Sequence, residues 1–326
     1  MRVILANPRG FCAGVNMAIE SLDLALKLYG PPVYVYHEIV HNKVVVRRFE
    51  RRGAIFVDDI EAVPEGANVL FSAHGVSPAV REAARRRRLN VIDATCPLVA
   101  KVHSEARRFA AQGRPILLLG HAGHDEVVGT MGEAPDQITL VEDEADVERL
   151  DLPPGSRPVY LMQTTLSIDE ARRIVERLRQ RFPDISGPAK DDICYATQNR
   201  QEAIHELAPE ADLVIVLGSQ NSSNSRRLAE IAQALGKPAY LIDSIHEADP
   251  KWFDGVETVV VTAGASAPED VVDECVAYLQ ERYGAELEER VVRTEDMEFQ
   301  LPAELRRQLR ERELERAAPT SGYPSS

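Results

Sequence analysis

Along most of its length the chain alternates short, largely apolar, β-branched runs with segments of helical period. The runs are Val3–Ala6, Val33–Tyr36, Asn68–Phe71, Ile116–Leu119, Val159–Met162, Leu213–Leu217, Ala239–Ile242 and Thr258–Thr262. Between them apolar residues recur at helical spacing, as in Met17–Leu28, Val99–Ala111, Ile168–Arg181 and Arg226–Leu235. A strand that is apolar at every position is covered on both faces, and alternation with helices sets such strands side by side in parallel. The expected fold class is therefore α/β, with mostly parallel sheets. No apolar run approaches the roughly 18 residues of a membrane span. The opening MRVILANPRGFCAG is too short in apolar residues for a secretion signal. A cytoplasmic chain without membrane contact is expected.

Three cysteines punctuate this pattern. Cys12 follows the first strand, Cys96 closes the Val91–Ile92 strand in DATCP, and Cys194 lies in DDICYATQNR before a helix reaching Leu207. They divide the chain into similar lengths, each with strands and helices. The division predicts three similar α/β domains at 1–96, 97–193 and 194–282. A return segment at 283–305 and a charged, disordered tail at 306–326 would follow, the tail including the helix-prone LRRQLRERELER. A chain of 326 residues is long enough for several cores.

Charge narrows the partners. The formal net charge is −14, which disfavours nucleic acid, since a phosphate backbone attracts a basic face. The run Arg85–Arg88 reads as a solvated helix end, favourable to the helix dipole. An anionic ligand would need a strong local site.

In α/β proteins ligands bind beyond the carboxyl ends of the strands, and polar residues collect there. HEIVHN carries His37 and His41, SAHGVSP carries His74, and GHAGHDE carries His121, His124 and Glu126. QTTLS carries Thr164 and Thr165, and AGASAPE carries Ser266. In GSQNSSNS, Ser and Asn fill six of the seven positions from Ser219 to Ser225. One capping residue would satisfy the helix that follows. The surplus hydroxyls and amides, beside free helix N–H groups, suit a phosphate. The segment lacks the lysine of a Walker loop. AGASAPE is equally well an ordinary strand-to-helix turn, capped by Ser266.

His41, His74 and His124 lack paired metal-ligand spacing, HEIVH not being the zincin order. They read better as donors to phosphate oxygens, and protonated histidine would add positive charge. Glu126 near a helix start either favours the dipole or, beside the Thr164 hydroxyl, relays a proton to a leaving oxygen.

The cysteines match no local motif: without CxxC, the zinc-ribbon, thioredoxin and ferredoxin patterns fail. A large cytosolic chain rarely keeps disulfides, so metal binding or catalysis competes with simple burial. Three distant thiolates meeting at a pseudo-threefold centre could hold three irons of a 4Fe-4S cluster and leave the fourth open. Cys275, within VVDECVAYL, reads as core.

Taken together, NPRGFCAGV, EIVHN, SAHGVSP, DATCPLV, GHDEV, QTTLS, DDICYATQNRQEA, GSQNSSNS and TAGASAP resemble the 4-hydroxy-3-methylbut-2-enyl diphosphate reductase family, in order from residue 1 to about 305. The resemblance implies a pseudo-threefold trefoil of three α/β domains around a central 4Fe-4S cluster. By motif, Cys12, Cys96 and Cys194 would be its ligands. His41, His74, His124, Ser222, Ser223, Asn224 and Ser266 would hold the diphosphate, while Glu126 and Thr164 would handle the substrate hydroxyl and its proton. The family removes that hydroxyl with two electrons and two protons, giving isopentenyl and dimethylallyl diphosphates at the end of the non-mevalonate isoprenoid pathway. A ferredoxin or flavodoxin would donate the electrons. Two rival readings remain: a phospho-ligand-binding α/β protein, and an iron–sulfur hydro-lyase working without net reduction. A nicotinamide dehydrogenase is disfavoured, because no GxGxxG follows a strand.

Overall fold

The computed structural model describes residues 1–317. Strand β1 (Arg2–Asn7) leads through Cys12 into helix α1 (Ala13–Tyr29). Then come β2 (Val33–Tyr36), α2 (Lys43–Glu50), β3 (Ala54–Val57), β4 (Asn68–Phe71), α3 (Pro78–Arg86) and β5 (Asn90–Asp93). After Cys96 follow α4 (Pro97–Ala111), β6 (Ile116–Leu119), α5 (Asp125–Met131), β7 (Ile138–Val141), α6 (Glu144–Arg149), β8 (Val159–Met162) and α7 (Ile168–Arg181). Past Cys194 lie α8 (Tyr195–Leu207), β9 (Leu213–Leu217), α9 (Ser223–Ala234), β10 (Ala239–Ile242), β11 (Thr258–Ala263), α10 (Glu269–Tyr283), β12 (Glu286–Val291) and α11 (Ala303–Ala317).

The strands form three sheets, ordered β3-β2-β4-β5, β7-β6-β8 and β10-β9-β11-β1-β12. Every pairing between these strands is parallel. The largest sheet shows why continuous apolar runs were needed. Val3, Leu5, Ile215, Leu217, Val259 and Val261 enter the core on one face. Their neighbours Ile4, Ala6, Val214, Val216 and Val260 enter the core on the other. A period of two with both faces buried leaves few polar positions in the central strands, Thr262 of β11 among them. None of the helices described is long and apolar enough to cross a membrane.

Two features depart from a division by chain position. β1, at the start of the 1–96 segment, does not pair with β2–β5. It inserts between β11 and β12, with Val3 opposite Val259 and Leu287. Its alternate residues are the ones that complete both cores of that sheet, so burial decides the assignment. The segment from 306 is also more than a tail, because α11 runs from Ala303 to Ala317. Leu305 anchors it, fully buried in the core that includes α1 and β2. The rest of the 306–326 segment, 318–326, lies outside the described residues.

Candidate active site

Loops from the carboxyl ends of all three sheets line one cavity. It is walled by the three thiols Cys12, Cys96 and Cys194, the histidines His41, His74 and His124, and the pair Glu126 and Thr164. Ser222, Ser223, Asn224 and Ser266 close it. Every residue singled out from the strand-end loops as ligand, donor or acid–base group is thus in the same place. Cys275 is not: it is fully buried in the apolar core under α10.

The three thiols share a local design. Each cysteine occupies the N-cap position of a helix, Cys12 of α1, Cys96 of α4 and Cys194 of α8. Helix N-termini stabilise thiolates. The Cys194 Sγ also accepts from the Thr197 N–H at 3.4 Å and lies 3.1 Å from the Thr197 Oγ1. Burial nevertheless dominates in the metal-free chain. It pushes the Cys96 thiol up to about 12 and Cys194 up to about 11, and the other sulfurs raise both further. Three sulfurs in one cavity, each carried at a helix N-terminus, with Cys96 and Cys194 held as thiols by burial, form a donor set suited to a cation. An iron–sulfur centre fits them, since metal coordination stabilises the thiolate outright. Gly14 makes room for the sulfurs. A Cβ there would stand 2.7 Å from the Cys96 Sγ and 3.9 Å from that of Cys12.

The histidines form a second cluster. His41 and His74 stack with ring centroids 3.9 Å apart and planes 20° from parallel. His124 meets both edge-on, at 5.1 and 5.9 Å. Asp125 sits against them, its carboxylate 2.8 Å from His37 Nδ1, 3.8 Å from His41 Nε2 and 3.9 Å from His74 Nδ1. His41, His74 and Asp125 could in principle offer three atoms to one metal. The stacking argues otherwise. Imidazole lone pairs lie in the ring plane, and near-parallel planes do not aim them at a common point. Ring N–H groups suited to anion oxygens are the better description.

At His74 and His124 the charge differs from the sequence expectation of protonated histidines. Burial holds His74 well below its ordinary value, and it holds His124 at about 3; proximity to His41 lowers both further. These two rings are neutral. Asp125 remains ionised. Burial opposes this, but the His37 hydrogen bond and the neighbouring imidazoles outweigh it and hold the carboxyl at about 2.

Opposite lies the start of α9. Ser222 caps the helix, accepting from the Ser225 N–H at 3.3 Å and from the Ser225 hydroxyl at 2.9 Å. Ser266 donates to the His41 carbonyl at 3.0 Å, tying the histidine loop to this wall. Asn224 Oδ1 accepts from Ala265 N–H at 3.0 Å, while its Nδ2 is buried without a partner among the described residues. A buried amide donor left open beside a helix N-terminus is an invitation to an anion. Gly218 and Gly264 are required here, because a Cβ at either would collide with Ser225.

Glu126 lies in the first turn of α5 and is 2% exposed. Its Oε1 accepts from the Thr164 N–H at 2.6 Å and its Oε2 from the Thr164 hydroxyl at 2.8 Å. Burial raises this carboxyl to about 7, although the two Thr164 bonds work against the shift. The Thr164 carbonyl in turn accepts from the Cys194 N–H at 3.0 Å. The Glu126–Thr164 pair is thereby anchored to the Cys194 loop.

Sequence reasoning had not singled out Thr197 or Asp125. Thr197 stands three positions beyond an N-cap, where a helix N–H meets the cap side chain, so that spacing was its only signal. Asp125 passes in sequence as one more acidic residue at a helix start.

A parallel α/β protein whose strand ends gather three thiols, a hydrogen-bonded carboxyl–hydroxyl pair and a set of open polar donors in one cavity is built as an enzyme. The sequence model of the LytB protein family matches residues 3–280, and the chain belongs to that family. A 4-hydroxy-3-methylbut-2-enyl diphosphate reductase from Rhodopirellula baltica is 60% identical over 306 residues, covering 94% of this chain and 96% of the relative. One of the same description from Acidothermus cellulolyticus is 57% identical over 312 residues, covering 95% and 92%. The solved E-1-hydroxy-2-methyl-but-2-enyl-4-diphosphate reductase from Plasmodium falciparum superposes with a TM-score of 0.94 at 40% identity, over 96% of this chain and 99% of the other.

Proposed function

We propose that this chain catalyses reductive dehydroxylation of 4-hydroxy-3-methylbut-2-enyl diphosphate. The allylic alcohol takes up two electrons and two protons, its C–O bond breaks, and water leaves with isopentenyl or dimethylallyl diphosphate. The curated relatives bear the name of this activity, and a further solved relative is described as the terminal enzyme of the non-mevalonate pathway. The observation that carries the reading is the single cavity shared by thiols, acid–base pair and anion donors. In this reading the three sheets form a trefoil of units, and each thiol-bearing loop faces its centre. The setting is the cytoplasm.

Cys12, Cys96 and Cys194 would hold a 4Fe-4S cluster, which when bound supplies electrons singly and Lewis acidity at the substrate hydroxyl. The diphosphate docks between the histidine rings and the start of α9. Ser222, Ser223, Asn224 and Ser266 hold it on one side, and His41, His74 and His124 on the other. Docking aligns the allylic carbon chain with the thiol-lined end, which is the positioning effect. Protonated Glu126 donates through the Thr164 hydroxyl: Thr164 Oγ1 passes its proton to the leaving oxygen and regains one from Glu126 Oε2. The close fit excludes water, which strengthens these contacts. A ferredoxin or flavodoxin would supply the electrons.

Anaerobically prepared protein should contain about four irons and four sulfides per chain and should remove the substrate hydroxyl only with a one-electron donor present. Turnover without reductant would instead make it a hydro-lyase. Absence of iron after reconstitution would leave a phospho-ligand-binding protein. Within the proposed reading, Ser222→Ala should raise KM by roughly tenfold or more with kcat little changed. A hydrogen bond to a charged group is worth about 1.5–3 kcal/mol, and a tenfold change in affinity corresponds to about 1.4 kcal/mol. Steady-state kinetics on the variant decide this.

A further inference from the structure

We infer that the buried Arg200–Glu295 pair is a positioning device that sets the Cys12 loop against the Cys194 helix. The inference rests on the proposed cluster role of these thiols.

Arg200 lies on α8, the helix that begins after Cys194, and its side chain is only 1% exposed. Its guanidinium is a bridge. Nη2 donates to the Gly10 carbonyl at 2.8 Å, in the loop that leads to Cys12. Nη1 donates to the Ala196 carbonyl at 2.8 Å, two residues beyond Cys194. Glu295 holds the fork from the far side, accepting from Nη1 at 3.0 Å and from Nη2 at 3.3 Å. It also accepts from Asn199 Nδ2 at 3.0 Å, which fixes its own orientation. Glu295 comes from the stretch between β12 and α11, which has no regular secondary structure.

Burying a guanidinium is costly, and a buried ion pair is seldom more stable than apolar side chains of the same volume. Packing alone therefore does not explain an arginine here. A rigid planar fork does what packing cannot, since it fixes the Gly10 carbonyl of the Cys12 loop at a set direction against α8 itself, gripped at the Ala196 carbonyl one turn earlier. A second link joins the same loops, with the Ala13 N–H donating to the Tyr195 hydroxyl at 3.4 Å. Cys96 is held independently. Its N–H donates to the Ala73 carbonyl at 3.0 Å, and the preceding Thr95 is fixed by Asp93. The pair therefore governs two of the three thiols and leaves the third alone.

The test compares Glu295→Gln, Arg200→Lys and Arg200→Met with the parent. Arg293→Ala is the control, because Arg293 joins the same stretch to the same helix through an exposed pair with Glu202 at 2.8 Å. Partners that orient metal ligands typically change metal affinity by about 10–100-fold. Iron release to a chelator from anaerobic holoprotein should accordingly quicken about tenfold or more in Glu295→Gln and both Arg200 variants, but not in Arg293→Ala. In full-length, iron-stripped protein, alkylation of Cys12 and Cys194 should change while Cys96 keeps its parental rate. Lysine should fail to rescue, since a point charge cannot span both carbonyls. Parental iron release in Glu295→Gln, full rescue by lysine, or equal changes at all three thiols would each overturn the inference. Should Arg200→Met not fold, Glu295→Gln, with its side-chain shape preserved, still decides the matter. A parent that never binds iron would overturn the proposed function instead, and the alkylation pattern would still decide this inference.

Discussion

Glu126→Gln should keep its iron and bind substrate at near-parental KM while losing about 10²–10⁴ in kcat, the usual contribution of a positioned acid or base. Glutamine fills the same volume; its Oε1 can still accept from the Thr164 N–H while its Nε2 donates to the Thr164 hydroxyl oxygen, so α5 and the Thr164 loop should stay in place. It cannot give up a proton. The parent should also show a pH dependence that the variant lacks. Burial raises the Glu126 carboxyl to about 7, so the proton-donating form predominates below that value and declines above it. The sign is therefore a kcat falling as pH rises through about 7. Single-turnover rates across pH, on variant and parent of equal iron content, measure both effects. A Glu126→Gln enzyme with parental turnover would show that the proton comes from elsewhere.

Serine at Cys12, Cys96 or Cys194 should each abolish stable iron binding, whereas Cys275→Ser should leave iron and sulfide at parental values. Serine is nearly isosteric, and each of the three positions is a helix N-cap, where serine is well tolerated. Far-UV circular dichroism should be unchanged, which separates loss of the metal from loss of the fold. What serine lacks is a soft thiolate for iron. Gly14→Ala should act in the same direction without replacing any cysteine, because its methyl would stand 2.7 Å from the Cys96 Sγ. Iron and acid-labile sulfide assays on anaerobic preparations settle these points. Full iron retention in any one of the three serine variants would remove that cysteine from the ligand set.

Strand-end loops were the productive place to look. The runs at Leu213–Leu217 and Val159–Met162 coincide with β9 and β8, and each is buried at every position. Edge strands were harder to see. β3, β7 and β12 escaped the reading of apolar runs, and each lies at the border of its sheet. β12 carries Glu286, Glu288, Glu289 and Arg290, because one border of the strand faces solvent and its side chains pair with surface charges such as Arg2. Nothing in ELEERV separates it from a solvated helix until β1 is seen beside it.

By itself the sequence determined the alternation of strand and helix, and with it the loops in which polar residues would collect. It also placed a cysteine just before each of three helices. These are local properties, set by side-chain periodicity and by capping within a few residues. Tertiary structure decided what depends on distant neighbours. β1 completes the sheet of the last strands because only there are both its faces buried. His74 and His124 are neutral and Glu126 is readily protonated because side chains from other elements strip water from them. Arg200, an ordinary helical arginine in the sequence, is a buried fork between the Cys12 loop and the helix that follows Cys194 because Gly10 and Glu295 reach it from opposite ends of the chain. Desolvation and long-range pairing arise only when the chain has folded, and no periodicity records them.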